Sequence, residues 1–194
     1  LVLCLHGFPE CWASWRYQLP VLAQSGCHAV APDLRGFGET GGPADVDAYR
    51  QSRLVADVVA LIDALGADQA VLIGHDWGCA LAWQVARRHP DRVAAVVGLS
   101  VPYGGPSPKP PTQAMRDLFR DHFFYMLYFQ RPRAPEQELE ADVEDSLRRM
   151  FHSLSADGIE EFSVAPDSTG VLQAMQPPPV PPRWMRDEDM AYYV

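Results

Sequence analysis

Short apolar runs that alternate with helical stretches restrict the fold of this 194-residue chain more than any other feature. The four runs cover residues 1–5, 27–31, 70–73 and 93–99. Helix-forming segments lie between them, over residues 15–24, 49–65 and 78–89. Strands that alternate with helices of this length form a parallel sheet with helices on both faces. The first half of the chain is therefore predicted to be an α/β core.

The pattern changes after Val101. Residues 102–111 are rich in Pro, Gly and Ser and are predicted to be a linker. Three predicted helices follow, with no strand between them, over residues 113–129, 136–154 and 186–194. We therefore expect an α/β core over residues 1–101 and a helical module over residues 102–194.

Both ends of the sequence suggest that the chain is truncated. Leu1 already lies in a predicted strand, and Val194 lies in a predicted helix. The chain opens without a charged leader, so no signal peptide is expected. We expect the chain to be part of a longer protein, with the C-terminal part of the core missing from this chain.

Charge and cysteine spacing exclude several classes of partner. The formal net charge of −9 argues against nucleic acid and against an anionic membrane surface. No apolar run approaches the roughly 18 residues that span a bilayer. Cys4, Cys11, Cys27 and Cys79 lack metal-binding spacing and are expected to be reduced thiols of a cytoplasmic protein.

The segment Gly74-His75-Asp76-Trp77-Gly78 connects the third predicted strand to its helix. Its spacing matches the sharp strand-to-helix turn that holds a nucleophile above an α/β sheet. Asp76 stands at the centre, where esterases carry serine. An ionised carboxylate needs no activating base and suits attack at a saturated carbon, which leaves an alkyl ester for water to cleave. The alternative is that Asp76 only caps the helix, because aspartate is a favoured N-cap residue.

Together with His6-Gly7-Phe8-Pro9-Glu10, this segment resembles the soluble epoxide hydrolases of the α/β-hydrolase fold. Further matching stretches are residues 15–18, 33–40, 128–130 and 192–194. The resemblance implies a partial α/β-hydrolase core with a mostly parallel sheet, followed by a helical cap, and no metal or organic cofactor. It also implies that water converts a small apolar epoxide to a vicinal diol through an ester on Asp76.

The resemblance gives roles to residues of both modules. The backbone N–H groups of Phe8 and Trp77 match the oxyanion hole, and the Phe8-Pro9 bond is often cis in such enzymes. Tyr125 and Tyr193 match the two cap tyrosines that donate hydrogen bonds to the epoxide oxygen. Phe8, Trp77 and Met126 are expected to line an apolar substrate pocket. The structural residues of the motif, in which the histidines brace loops, are His6, Gly7, Pro9, Gly74, His75 and Gly78.

Two features depart from the family pattern. Cys79 stands where such enzymes usually have glycine or another small residue, and we expect tight helix packing to survive there. The family places its catalytic acid and histidine in core segments after the cap, which would lie beyond Val194. No acid or histidine of this chain is therefore assigned to those roles.

Two other functions remain open. A haloalkane dehalogenase shares the Asp nucleophile and the tryptophan after it, but such enzymes tend to have asparagine where this chain has Phe8. A non-catalytic binding protein on the same fold is the second alternative, and the presence of Asp76, Tyr125 and Tyr193 argues against it. No oligomeric state is predicted.

Overall fold

The computed structural model describes residues 1–105, 108–120, 122–158, 168–178, 182 and 184–194. These residues divide into two compact units. The first comprises Leu1–Tyr103 together with Tyr193, and the second comprises Gly104–Tyr192 together with Val194. The predicted linker, residues 102–111, spans this division, and its residues 106 and 107 lie outside the described part.

A parallel four-stranded sheet forms the centre of the first unit. The strands are β1 (Val2–Leu5), β2 (Ala29–Val30), β3 (Ala70–His75) and β4 (Val93–Leu99), and their order in the sheet is β2-β1-β3-β4. The helices that connect them in turn are α1 (Gln18–Gln24), α2 (Gln51–Ala64) and α3 (Trp77–Arg88). The α/β core with a parallel sheet is thus confirmed.

Different helices cover the two faces of the sheet, because successive strand residues point to opposite sides. Leu3 and Leu5 of β1 pack in one cluster with buried residues of β3, α2 and α3. Val2 and Cys4 belong to a second cluster, which contains Trp15 and partly buried residues of α1. The alternation along a single strand therefore builds two cores.

The predicted helix over residues 15–24 is divided in the structure. A 3₁₀ turn over Trp12–Trp15 comes first, and α1 begins only at Gln18. Pro20 accounts for the late start, because it has no N–H for the Arg16 carbonyl and its ring crowds the carbonyl four residues earlier.

Strand β4 is apolar throughout, yet most of it is exposed. Val97 is 47% exposed and Leu99 is 42% exposed. Within the described residues β4 pairs only with β3, so it forms one edge of the sheet.

The second unit is built from short helices. Among the described residues its longest helix is α7 (Val143–Ser153). Glu138, in the helix before α7, accepts the Val171 and Leu172 amides at 3.0 and 2.9 Å and so holds the segment that contains these two residues. The helices are α4 (Pro111–Leu118), α5 (Tyr125–Tyr128), α6 (Ala134–Leu139), α7 (Val143–Ser153) and α8 (Asp187–Met190).

The predictions of three long helices in this unit are wrong. The segment 113–129 breaks between α4 and α5, where the rings of Phe119 and Phe124 stack 3.9 Å apart. The segment 136–154 breaks at Asp142, whose carboxylate accepts the Asp145 amide and caps α7. The segment 186–194 is helical only over α8. Local side-chain contacts override the helical periodicity at the first two of these points.

No helix among the described residues combines the length and the apolar character that crossing a membrane requires.

Replacing Val85 with alanine tests the larger core cluster. Val85 lies in α3 and is fully buried, so Val85→Ala should lower the free energy of unfolding by about 1–3 kcal/mol. Urea denaturation followed by circular dichroism measures the change. The control is Val21→Ala in α1, where the side chain is 62% exposed and the change should be within about 0.5 kcal/mol. Equal losses in the two variants would contradict the assigned core.

Candidate active site

The turn between β3 and α3 brings Asp76 to the carboxyl end of the sheet. Asp76 has φ 49° and ψ −119°, a backbone conformation that residues with a side chain rarely adopt. The flanking glycines make the turn possible. A Cβ on Gly74 would lie 2.6 Å from the Gly78 carbonyl oxygen, and one on Gly78 would lie 2.5 Å from the His6 carbonyl oxygen. The motif therefore marks a point where three backbone segments touch.

The Asp76 side chain does not cap α3. Asp76 is the N-cap residue by position, but its carboxylate makes no capping hydrogen bond. Its Oδ1 instead accepts the Phe8 amide at 3.0 Å. The carboxylate is half-buried and is held by the loop that follows β1. This contact weighs against the alternative that Asp76 serves only as a helix cap.

The loop after β1 approaches Asp76 closely because Gly7 has no side chain. A Cβ on Gly7 would lie 2.8 Å from Asp76 Oδ1 and 3.0 Å from its Cγ. The next peptide bond, Phe8-Pro9, is cis. Any side chain at position 7 would displace the carboxylate, which gives a physical reason for glycine between His6 and Phe8.

His6 joins this loop to the loop after β2. The imidazole is buried; its Nδ1 lies 2.8 Å from the Gly7 carbonyl and its Nε2 accepts the Leu34 amide at 3.0 Å. Burial lowers the pKa of His6, although the bond to Gly7 acts in the opposite direction. A neutral ring with its proton on Nδ1 satisfies both contacts.

His75, the residue before Asp76, pairs with Glu10 of the loop after β1, and the pair is ionic when His75 is protonated. His75 Nδ1 is 3.0 Å from Glu10 Oε2, and the same oxygen accepts the Gly7 amide at 2.9 Å. The hydrogen bond to Glu10 raises the pKa of His75. Burial opposes ionisation of Glu10, but the bonds from His75 and Gly7 outweigh it and lower the pKa of Glu10. The pair links the two segments that carry Phe8 and Asp76.

Tyr193 belongs to the first unit, where its hydroxyl shares a hydrogen bond of 3.0 Å with the Ser14 hydroxyl. Burial raises the pKa of the Tyr193 phenol, and the bond to Ser14 acts in the opposite direction. Tyr193 is thus a protonated phenol at neutral pH.

Tyr125 and Met126 lie at the start of α5 in the second unit. The Tyr125 ring is 5.1 Å from that of Phe124 and 5.8 Å from that of Phe129. The roles given to Tyr125 and Met126 by resemblance stay predictions.

Trp77 is the first residue of α3, and its side chain is 51% exposed. The first N–H groups of a helix have no partner within that helix, so the Trp77 amide can serve an external acceptor. Trp77 also borders a cavity of about 690 Å³ between the loop after β2, α2 and α3. Phe8 and Asp76 are not among its lining residues, so this cavity is not the predicted substrate pocket.

Cys79 packs at the start of α3 without disturbing it. The thiol is buried and donates to the Val101 carbonyl at 3.0 Å. Gly98 of β4 makes the room, since a Cβ there would lie 2.9 Å from the sulfur.

Within the described ranges, no His, Cys, Asp or Glu side chains are grouped as metal ligands.

Sequence reasoning missed three residues that organise this region. In the sequence, Glu10 is only the last residue of the motif that begins at His6, and Asp33 is only part of the matching stretch 33–40, so neither receives a role of its own. Asp33 Oδ1 accepts the Trp12 amide at 2.8 Å, and its backbone carbonyl accepts the Thr40 hydroxyl at 2.8 Å. Ser14 carries no sequence signal of its own, because its partner Tyr193 lies 179 residues away.

Known proteins resemble this chain over almost all of its length. Epoxide hydrolase A of Mycobacterium tuberculosis is 42% identical, over 100% of this chain and 61% of its own length. Bifunctional epoxide hydrolase 2 of Rattus norvegicus is 37% identical, over 99% of this chain and 35% of its own length. This chain therefore spans about three fifths of the first relative and about one third of the second.

Solved structures give the same result. The crystal structure of epoxide hydrolase A from Mycobacterium thermoresistibile matches 99% of this chain with a TM-score of 0.92 and 43% identity. An epoxide hydrolase from an endophytic Streptomyces also matches 99% of this chain with a TM-score of 0.92, at 38% identity. The matches cover 61% and 59% of those chains.

The sheet, the turn at Asp76 and these likenesses agree with the match to a family model. Residues 1–187 match the model described as the alpha/beta hydrolase fold. The chain therefore belongs to the α/β-hydrolase family.

Proposed function

We propose that the protein containing this chain hydrolyses epoxides to vicinal diols through an ester on Asp76. The observation that carries the proposal is the half-buried Asp76 carboxylate on a strand-to-helix turn, with Oδ1 bound to the Phe8 amide. The names of its relatives, which are epoxide hydrolases, supply the substrate class.

The first step opens the epoxide ring. Asp76 Oδ2, the oxygen that the Phe8 amide does not hold, attacks a ring carbon and forms an ester while the carbon–oxygen bond of the ring breaks. The released oxygen takes a proton from a phenol, for which we propose Tyr125 and Tyr193. A phenol suits this task because it stays protonated at neutral pH and can stabilise a developing alkoxide.

The second step cleaves the ester. Water attacks Cγ of Asp76, negative charge develops on Oδ1, and the bond between Cγ and Oδ2 then breaks. One proton of the water goes to Oδ2 and completes the diol, and the other returns to the phenolate that the first step left. Oδ1 already accepts the Phe8 amide in the free carboxylate, so this donor is in position before charge develops. The Trp77 amide is proposed as the second donor. One such donor is typically worth about 2.7–4 kcal/mol in related acyl chemistry.

Glu10 and His75 are proposed to position the nucleophile. Glu10 binds the Gly7 amide and His75 together, so it fixes the loop of Phe8 against the turn of Asp76. A base for the attacking water would come from the longer protein, as the family resemblance implies.

The remaining proposals concern partners and location. We propose that the second unit serves as the cap that contributes Tyr125, and that the substrate is a small apolar epoxide. The net charge of −9 supports a protein without nucleic-acid or membrane partners. Four free cysteines, of which three are buried, support a cytoplasmic location, where thiols stay reduced.

Removing the Asp76 carboxylate tests the nucleophile. With styrene oxide as the probe, Asp76→Ala should abolish the covalent adduct, because no other group forms the ester. Rapid quenching followed by peptide mass spectrometry measures adduct and site. The control is Asp68→Ala at an exposed position, which should keep wild-type adduct formation. An adduct in the Asp76→Ala protein at the wild-type rate would remove Asp76 from this role.

Removing both phenol hydroxyls distinguishes an epoxide hydrolase from a haloalkane dehalogenase. Tyr125→Phe combined with Tyr193→Phe should slow epoxide alkylation by at least about 100-fold, the usual scale of general acid catalysis. Chloride leaves as an anion and needs no proton, so alkylation by a chloroalkane would be much less affected. Single-turnover rates on both probes make the comparison, with Tyr192→Phe as the control. An unchanged epoxide rate would reject the tyrosine assignment, and faster turnover of the chloroalkane by the unmodified protein would favour a dehalogenase.

The Glu10–His75 pair should make stability depend on pH. The pKa of His75 is raised above its ordinary value of 6.5, so its contribution is complete below that pH and is lost as pH rises through the raised pKa. Glu10→Gln should therefore cost more stability near about pH 6 than near about pH 8, by up to roughly 1 kcal/mol for this part-exposed pair. Urea unfolding at the two pH values measures it, with exposed Glu39→Gln as the control. A cost that does not change with pH would contradict the ion pair.

A further inference from the structure

We propose that Ser14 is a positioning residue for Tyr193, donating its hydroxyl proton to the phenol oxygen so that the phenol proton points to the epoxide. The inference rests on the proposed function, in which Tyr193 is a proton donor. The observation behind it is the 3.0 Å hydrogen bond between the two hydroxyls, which lie 179 residues apart in the sequence. Both residues belong to the first unit.

Ser14 is held in place by the backbone around it. It lies in the 3₁₀ turn over Trp12–Trp15, and its amide donates to the Cys11 carbonyl at 3.1 Å. The start of the turn is anchored by Asp33, which accepts the Trp12 amide at 2.8 Å. A serine hydroxyl moves about a single side-chain torsion, so a fixed backbone leaves it little freedom.

Buried neighbours hold the other end of the turn. Ala13 and Trp15, on either side of Ser14, are both buried. The guanidinium of Arg16 donates to the Ala13 carbonyl at 2.8 Å. These contacts hold the turn that carries Ser14 in place, so its hydroxyl stays within hydrogen-bond distance of Tyr193.

Proton counting sets the direction of the bond during the reaction. A phenol has one proton, and if that proton goes to the epoxide oxygen, the phenol oxygen can only accept from Ser14. When Tyr193 gives up its proton, the oxygen of the ring-opened product gains it and Tyr193 becomes a phenolate. Ser14 keeps its own proton and donates to that anion, a stronger hydrogen bond than the one to the neutral phenol.

The groups around Tyr193 oppose the loss of its proton, which the hydrogen bond from Ser14 favours. Burial raises the pKa of the phenol, and the charges of Cys11 and Glu10 raise it further when these groups are ionised. The Ser14 hydroxyl and the nearby Arg16 act in the opposite direction. Loss of the Ser14 hydroxyl should therefore raise the pKa of Tyr193.

The test measures single-turnover alkylation of the full-length protein by styrene oxide. Ser14→Ala should slow alkylation about tenfold, the scale of one hydrogen bond to a charged group. The alkaline limb of its rate–pH profile should move to higher pH, which a change in packing alone would not produce. Ser14→Thr retains the hydroxyl and should restore the rate to within about twofold. The control is Ser25→Ala, because Ser25 is exposed and its hydroxyl donates to the Val21 carbonyl at the end of its own helix.

A double-mutant cycle decides whether Ser14 acts through Tyr193. In a Tyr193→Phe protein, Ser14→Ala should cause no further loss of rate. An equal further loss there, or an unshifted alkaline limb in Ser14→Ala, would overturn the proposal. If Ser14→Ala does not fold, Ser14→Cys keeps the volume with a weak donor, and the same shift of the limb is expected.

The cycle also separates this proposal from the proposed function. A slow Tyr193→Phe protein with an unaffected Ser14→Ala protein overturns the role of Ser14 and leaves that of Tyr193 standing. A Tyr193→Phe protein that alkylates at the wild-type rate overturns the roles of both residues.

Discussion

The hydrogen bond from the Phe8 amide to Asp76 connects two loops that lie 68 residues apart in the sequence. It depends on the parallel pairing of β1 with β3, in which Leu5 lies opposite Gly74. Because the carboxyl ends of these two parallel strands lie side by side, the loop after β1 and the turn after β3 begin next to each other. The Asp76 carboxylate is thus positioned by the pairing of β1 with β3, and the turn that carries Asp76 sets the direction of its side chain.

This arrangement needs backbone contact, and glycine supplies it at three positions. Gly7 lies against the Asp76 side chain, Gly74 against the start of α3, and Gly78 against the end of β1. The positive φ of Asp76 itself costs on the order of 1–3 kcal/mol, which the surrounding structure must offset. Two buried clusters, one on each face of the sheet, provide the rigid support.

The sequence was informative where the structure is governed by local patterns. The alternation of apolar runs and helices predicted the parallel sheet, and the spacing of Gly74 and Gly78 predicted the turn. It was less informative where contacts between distant or aromatic side chains decide. The stacking of Phe119 on Phe124 and the cap at Asp142 end helices that periodicity alone would continue. The bond between Ser14 and Tyr193 has no local signature, because it forms only in the folded chain.

Because the Phe8 amide holds Oδ1, the proposed mechanism replaces one oxygen of Asp76 in each cycle and retains the other. Oδ2 departs with the diol in every cycle, and an atom from solvent takes its place. Oδ1 stays on Asp76 throughout that mechanism. The nucleophilic atom is thus a renewable one, and each molecule of product carries away the oxygen that the previous cycle drew from water.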